Sequence, residues 1–172
     1  VPWVRLASVQ REFPNRLRVT LQEHKPVAYW GDDGEQRLIN SYGEVFEANG
    51  ADLDDDKMPR LSGPDSQSQQ VLAMYLALQP TFKGLSLALE SLVLTDRGSW
   101  RAKLAHGAVI ELGRGGVDDV MARVQRVSQT LAQVTQKLGR KVTAIESADL
   151  RHDNGYALRL RGVSTQDVST KR

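Results

Sequence analysis

Cysteine is absent from this chain of 172 residues. That excludes disulfides, cysteine-based zinc sites and thiol nucleophiles. Histidine is scarce: His24, His106 and His152 fall in three separate segments, without an i, i+4 pair or H-E-x-x-H spacing, so no metal site is indicated. No run of about 18 apolar residues occurs, so no membrane-spanning helix lies within the chain. An excess of one charge is missing too. Lys and Arg number 23 against 21 Asp and Glu, a net charge of +2, and a nucleic-acid partner would call for a clustered basic face. Trp3, Trp30 and Trp100 do not interleave with basic residues, which leaves no stacking platform for single strands. The first residues are Val1-Pro2-Trp3, with no initiator methionine, and the expectation is that they continue from an upstream portion of a longer protein.

What is present is the composition of an ordinary folded domain, 40% hydrophobic and 26% charged. The chain is long enough to bury a core without covalent staples. Enzyme signatures do not rise above background. No G-x-S-x-G pentapeptide offers a nucleophile elbow. Asp149 and Asp153 flank a turn region with nothing to place a substrate between them, so they read as solvated or locally bonded turn residues. Gly113–Gly116 precedes a helix but lacks the Lys-Ser/Thr of a phosphate loop, and Asp118 and Asp119 there suit the helix dipole rather than an anion. The acidic run Ala51–Lys57 lacks the glycine and glutamate positions of a calcium loop and reads as a solvated loop. No cofactor is implied.

Periodicity divides the chain into strands and two helices. Val4–Ser8 and Leu17–Leu21 flank Phe13-Pro14-Asn15-Arg16; Leu17, Val19 and Leu21 alternate with polar residues, as on a half-buried strand. In Glu23–Trp30, Pro26 cannot donate to a ladder, which predicts an edge or a crossover. Arg37–Ile39 and Val45-Phe46 form a short hairpin. Ser66-x-x-Gln69 matches a capping box and predicts a helix over 67–78, stopped by Pro80. Leu85–Thr95 changes phase near Glu90-Ser91, as at a bulge, and with Ser99–Leu104 and Val109–Leu112 makes a three-strand meander. Val117, Val120, Met121, Val124, Val127, Leu131, Val134 and Leu138 form one apolar stripe, a helix over 117–138 capped by Gly139. Val142–Ile145 opens the last sheet segment.

The stretch Asp149–Leu160 carries the functional expectation. Two strand-like runs flank Asn154-Gly155, a dipeptide suited to a tight turn. Tyr156, Leu158 and Leu160 then alternate with Ala157, Arg159 and Arg161. A strand that closes a fold in this way lies at a sheet edge, where unpaired backbone groups bind another chain.

Several motifs in order carry a resemblance. They are Pro2-Trp3-Val4, Arg11-x-Phe13-Pro14-Asn15-Arg16-Leu17, Glu23-x-Lys25-Pro26-Val27-Ala28-x-Trp30, Leu38-Ile39-Asn40-x-x-Gly43-Glu44-x-Phe46 and Leu61-Ser62-Gly63-Pro64. Thr95-Asp96-Arg97-Gly98-Ser99-Trp100, Leu112-Gly113-Arg114 and Asp149-Leu150-Arg151 complete the set. Together they resemble the bacterial FtsQ/DivIB cell-division family. The resemblance implies an α+β fold: a partial POTRA domain over residues 1–31 and a β domain over 32–163 built as a mostly antiparallel sheet with two helices packed on it; the lack of periodicity after it predicts a mobile tail over 164–172. The resemblance further implies no catalytic activity, an inner-membrane anchor outside this chain, a periplasmic location at the division septum, and FtsB and FtsL as partners in septal wall synthesis. FtsB adds a strand to the last strand of the β domain in that family, at a motif D-L-R-Tyr-x-Ser/Asn-Gly. Arg151, Asn154 and Gly155 match it, while His152 stands where tyrosine is usual and offers a smaller ring. The implied docking residues are Arg151, His152, Asp153, Asn154, Gly155, Tyr156, Ala157, Leu158 and Arg159, with Tyr156 able to supply apolar contact. A second reading is a POTRA-containing protein that handles substrate chains in outer-membrane assembly or secretion.

Overall fold

Two sheets and two helices make up the structure, a computed structural model that describes residues 2–48, 58–152 and 155–162. The strands are β1 (Val4–Glu12), β2 (Arg16–Glu23), β3 (Pro26–Trp30), β4 (Arg37–Asn40), β5 (Val45–Glu47) and β6 (Arg60–Ser62). After helix α1 (Ser68–Gly84) come β7 (Leu89–Leu94), β8 (Ser99–Leu104) and β9 (Val109–Arg114), and after helix α2 (Val117–Lys137) come β10 (Ile145–Asp149) and β11 (Ala157–Leu160). β1 and β2 pair only with each other; the other nine strands form one sheet in the order β11-β10-β9-β8-β7-β6-β3-β4-β5. The acidic run 51–57, Asp153, Asn154 and the expected tail 164–172 lie outside the described residues.

The large sheet is mixed but mostly antiparallel. β7, β8 and β9 form the expected meander. β6–β7 and β9–β10 are parallel pairs, each bridged by a helix. Both crossovers step the same way along the sheet, so a common right-handed connection puts both helices on one face. α1 packs on β6 and β7, α2 on β9, and the helices touch each other. Trp100, Ala102 and Leu104 of β8 are fully buried beneath them, as their alternation predicts, with Ile110 and Leu112 of β9 alongside.

Four local expectations change. Pro26–Trp30 is neither edge nor crossover: β3 lies between β6 and β4. Pro26 takes its first position, where a missing N–H is least damaging, while Ala28 and Trp30 are fully buried. This strand, expected with the N-terminal part of the chain, therefore belongs to the large sheet. Second, Leu17, Val19 and Leu21 are exposed. They share a face with Ala7 and Val9 through the pairs Ala7↔Leu21 and Val9↔Val19, and no described element covers it. Third, α1 does not stop at Pro80 but contains it. Pro80 sits on the solvent side with Leu76, whose carbonyl loses its partner there, and buried Phe82 anchors the turn beyond. Fourth, the capping box does not form. A 3-10 turn, Asp65–Gln67, leads into α1 without a side-chain cap, and buried Ser68 instead donates from Oγ to the Gly43 carbonyl at 2.7 Å.

Other readings are sharpened. Strand β7 starts at Leu89, not Leu85, because Ser86 adopts a left-handed conformation with φ 58°; the bulge falls between Leu89 and Ser91. The stripe of α2 buries Val120, Val124, Val127 and Leu131, but Thr135 replaces Leu138 in the last turn, and Leu138 is 49% exposed. Asp119 Oδ2 accepts from the Gly116 N–H at 3.0 Å, which caps the helix start. Residues 142–144 form a 3-10 turn, not a strand.

Candidate functional site

β11 occupies one edge of the nine-stranded sheet. It pairs with β10 through Ile145↔Leu160, Ser147↔Arg159, Ala148↔Leu158 and Asp149↔Ala157, with a bulge in β10 between Ile145 and Ser147. The Arg161 N–H donates to the Ala144 carbonyl at 2.9 Å. Strand alternation then turns the backbone groups of Ala157 and Arg159 toward β10 and those of Leu158 outward, where no described strand meets them. The side chains alternate as expected: Leu160 is buried, Leu158 half-buried, Ala157 and Arg159 exposed. Arg159 pairs with Glu146 at 3.1 Å.

The connection before β11 is not a two-residue turn. Seven residues, 150–156, join Asp149 to Ala157. Leu150 is buried, and its N–H donates to the Glu111 carbonyl at 2.8 Å, so the chain stays with β9 for one more residue before it leaves the sheet. Asp149 then shapes the exit. Its Oδ1 accepts from the Arg151 N–H at 3.0 Å and from Arg151 Nε at 2.9 Å, and its Oδ2 accepts from Arg151 Nη2 at 2.5 Å. The Arg151 guanidinium holds the Asp149 carboxyl down at about 2. Asp149 is thus locally bonded, and Arg151 leaves the sheet as a fixed, exposed fork.

Tyr156 does not reach outward. It packs against the core and its hydroxyl meets Thr130 Oγ1 of α2 at 2.6 Å. His152 is exposed. Among the described residues, a β-carbon on Gly155 would meet nothing within 4 Å, so these surroundings do not demand glycine. Of the nine expected docking residues the structure thus places Arg151, His152, Gly155, Tyr156, Ala157, Leu158 and Arg159 on or just before the edge strand; Asp153 and Asn154 are outside the described residues.

Sequence reasoning missed a groove of about 710 Å³ beside Arg151, lined by Arg97, Arg101, Arg114 and Arg123 as well as Asp96 and Glu111. Its residues come from the β7–β8 turn, β8, β9 and α2, over residues 95–123, with Arg151 added from beyond β10. Three of the noted motifs, Thr95–Trp100, Leu112-Gly113-Arg114 and Asp149-Leu150-Arg151, supply part of its lining, but nothing in the sequence brings them together.

The fold and edge define a class: an α+β domain with a helix-covered sheet that ends in an open strand, entered from a small separate hairpin. Comparisons with known proteins make this specific. The family model described as "Cell division protein FtsQ/DivIB, C-terminal" matches residues 28–151, and "POTRA domain, FtsQ-type" matches residues 1–24. The two matches bracket the His24-Lys25 junction between the two sheets. "Cell division protein FtsQ" of Burkholderia pseudomallei is 40% identical over 164 residues, 95% of this chain and 63% of that protein. The protein of that name from Xanthomonas campestris is 38% identical over 174 residues, 99% of this chain and 59% of that protein, and that from Shewanella oneidensis 40% over 158 residues, 92% and 56%. The chain belongs to the FtsQ/DivIB cell-division family, and it spans about three fifths of the length of the curated relatives it matches.

Proposed function

We propose that this chain is the periplasmic part of a non-enzymatic scaffold of the division machinery. It docks FtsB, and through it FtsL, on the open edge of β11 and so ties them to septal peptidoglycan synthesis; a membrane anchor outside the chain holds it at the inner membrane. The observation that carries this reading is the edge itself. β11 closes the sheet with outward backbone groups at Leu158 and with the Arg151 fork two residues past the end of β10. Main-chain pairing there supplies affinity, and the fork supplies selectivity. The POTRA match favours this over a secretion role, because the matching model is the FtsQ type. We further propose that the POTRA part ends near His24.

The test is binding of the periplasmic segment of FtsB from the same organism by fluorescence anisotropy. Leu158→Pro removes an outward donor and is expected to abolish binding while the melting transition stays cooperative. Because Leu158 also packs on the core, a second arm leaves this chain intact and N-methylates alternate residues of the segment. Undiminished affinity in both arms would sink the proposal.

A further inference from the structure

The motif Arg11-x-Phe13-Pro14-Asn15-Arg16-Leu17 takes no part in the docking edge. It forms the tip of the β1–β2 hairpin. That hairpin is tied to the large sheet at its base, by Arg5 to Glu44 at 2.6 Å and by Trp3 and His24, whose rings meet Phe46. β1 then runs nine residues, Val4–Glu12, away from that base, roughly 30 Å at about 3.3 Å per residue. The tip is the far end of the small sheet.

Phe13 is 96% exposed there, the most exposed large apolar residue among the described ones, and Leu17 is 69% exposed. Pro14 between them is exposed as well. Arg11 and Arg16 flank this cluster and make no ion pair among the described residues. Glu12 lies opposite Arg16 in the ladder, but its carboxylate is taken by Arg18 at 2.7 Å. Residues 11–18 carry a net charge of +2, equal to that of the whole chain, so the remainder sums to zero.

Size decides what such a tip can hold. Phe13, Pro14 and Leu17 together offer on the order of 300 Å² of apolar surface. A stable protein interface buries roughly 800 Å² on each side. A bilayer sets no such minimum. Its interfacial zone takes up single apolar side chains while basic residues beside them meet anionic headgroups.

We propose that the β1–β2 tip is a membrane-contact site, where Phe13 enters the interfacial zone of a bilayer and Arg11 and Arg16 pair with the phosphates of anionic phospholipids. The inference rests on the reading that an anchor outside the chain holds the protein at a membrane. One ring and two arginines bind a bilayer weakly from solution, and a tether raises their effective concentration enough to make the contact. The hairpin then stands on the lipid and presents the large sheet, with β11, at a set height above it.

The experiment tethers the chain by an N-terminal hexahistidine tag to nickel-chelating lipid in phosphatidylcholine vesicles, with or without phosphatidylglycerol. Because the chain lacks cysteine, one NBD label can be placed at Asn15→Cys, with Lys141→Cys, exposed beyond α2, as control. Emission at 15 is expected to rise and shift blue on phosphatidylglycerol vesicles and to fall back with salt, while 141 does not respond. Phe13→Ser should lower the ratio of inserted to free label about tenfold, the scale of burying one such ring. Arg11→Gln and Arg16→Gln should each lower it about fivefold, with melting temperatures unchanged. A label at 15 that stays in water on both vesicles overturns the proposal. Insertion that survives Phe13→Ser but is lost in the double variant Val9→Thr, Val19→Thr assigns the contact to the hairpin face and overturns it too. So does a water-exposed label at 15 in the longer protein reconstituted through its own anchor. Leu158→Pro should insert like the parent, so docking at β11 and contact at the tip fail separately. Recovery of the longer protein free of membranes on flotation of a cell lysate sinks the anchor reading and the proposal with it, whatever the tip does on the tag.

Discussion

The Tyr156 hydroxyl lies 2.6 Å from Thr130 Oγ1, so the residue that leads into the edge strand is tied to the middle of α2. This places Tyr156 in the service of the strand's position, with its ring against the core. A strand that recruits a partner through its backbone must be held still on its own sheet, because ordering it on binding would subtract from affinity. Tyr156→Phe is expected to cost about 1 kcal/mol, the usual worth of one such hydrogen bond, read from the urea midpoint. Thr130→Val should cost a similar amount, and the double variant should show the two effects to be non-additive.

A second prediction concerns acid. Glu44 is gripped by Arg5 of β1 at 2.6 and 2.9 Å and by Asn40 at 2.7 Å, and these bonds, the Arg5 one foremost, lower its carboxyl from 4.5 to about 2. Asp149 is lowered from 3.8 to about 2 by Arg151. A depressed carboxyl contributes stability that is fully present above its unfolded value and lost as pH falls through the folded value. Stability is therefore expected to drop between about pH 4.5 and 2. Glu44→Gln should lower stability at neutral pH and flatten that acid limb, as followed by urea unfolding across the range. Because Arg5 is in the hairpin and Glu44 in the turn that joins β4 to β5 of the large sheet, the same variant should also raise proteolysis at the His24-Lys25 junction.

Pro80 gives a third. It interrupts the hydrogen-bond ladder of α1 on the exposed side. Pro80→Ala restores a donor to the Leu76 carbonyl and is expected to stabilise the domain by about 1–3 kcal/mol, the helix-interior penalty of proline reduced by its stiffening of the unfolded chain. A differential scanning measurement that showed no rise in melting temperature would mean the helix has adapted around the proline.

His152 gives a fourth. It is exposed, just past the exit of β10. His152→Tyr presents a larger aromatic face and is expected to tighten binding of the FtsB segment a few-fold, the scale of one aromatic contact of roughly 0.5–1.5 kcal/mol. Titration by anisotropy checks it, and equal or weaker binding would remove His152 from the interface.

What the sequence determined by itself is what local rules govern. Alternation placed Trp100, Ala102 and Leu104 inward and gave β11 one core face; the phase change at Glu90-Ser91 marked a real bulge; the stripe on α2 was readable because 3.6-residue periodicity is a local property. The ordered motifs carried the family. Tertiary structure decided the rest. Pro26 and Pro80 sit inside elements because burial of Trp30 and of Phe82 outweighs what proline costs locally. The turn expected at Asn154-Gly155 widened because the Leu150 N–H found its acceptor on β9 and Asp149 turned back to hold Arg151. The hairpin face of Leu17, Val19 and Leu21 looks like a core face in sequence, and only the fold shows that no described element covers it. The arginine groove draws on β8, β9, α2 and the exit of β10, brought together by parallel crossovers over the sheet. Charge at one point in space is summed over segments far apart in the chain, and no local pattern records that sum.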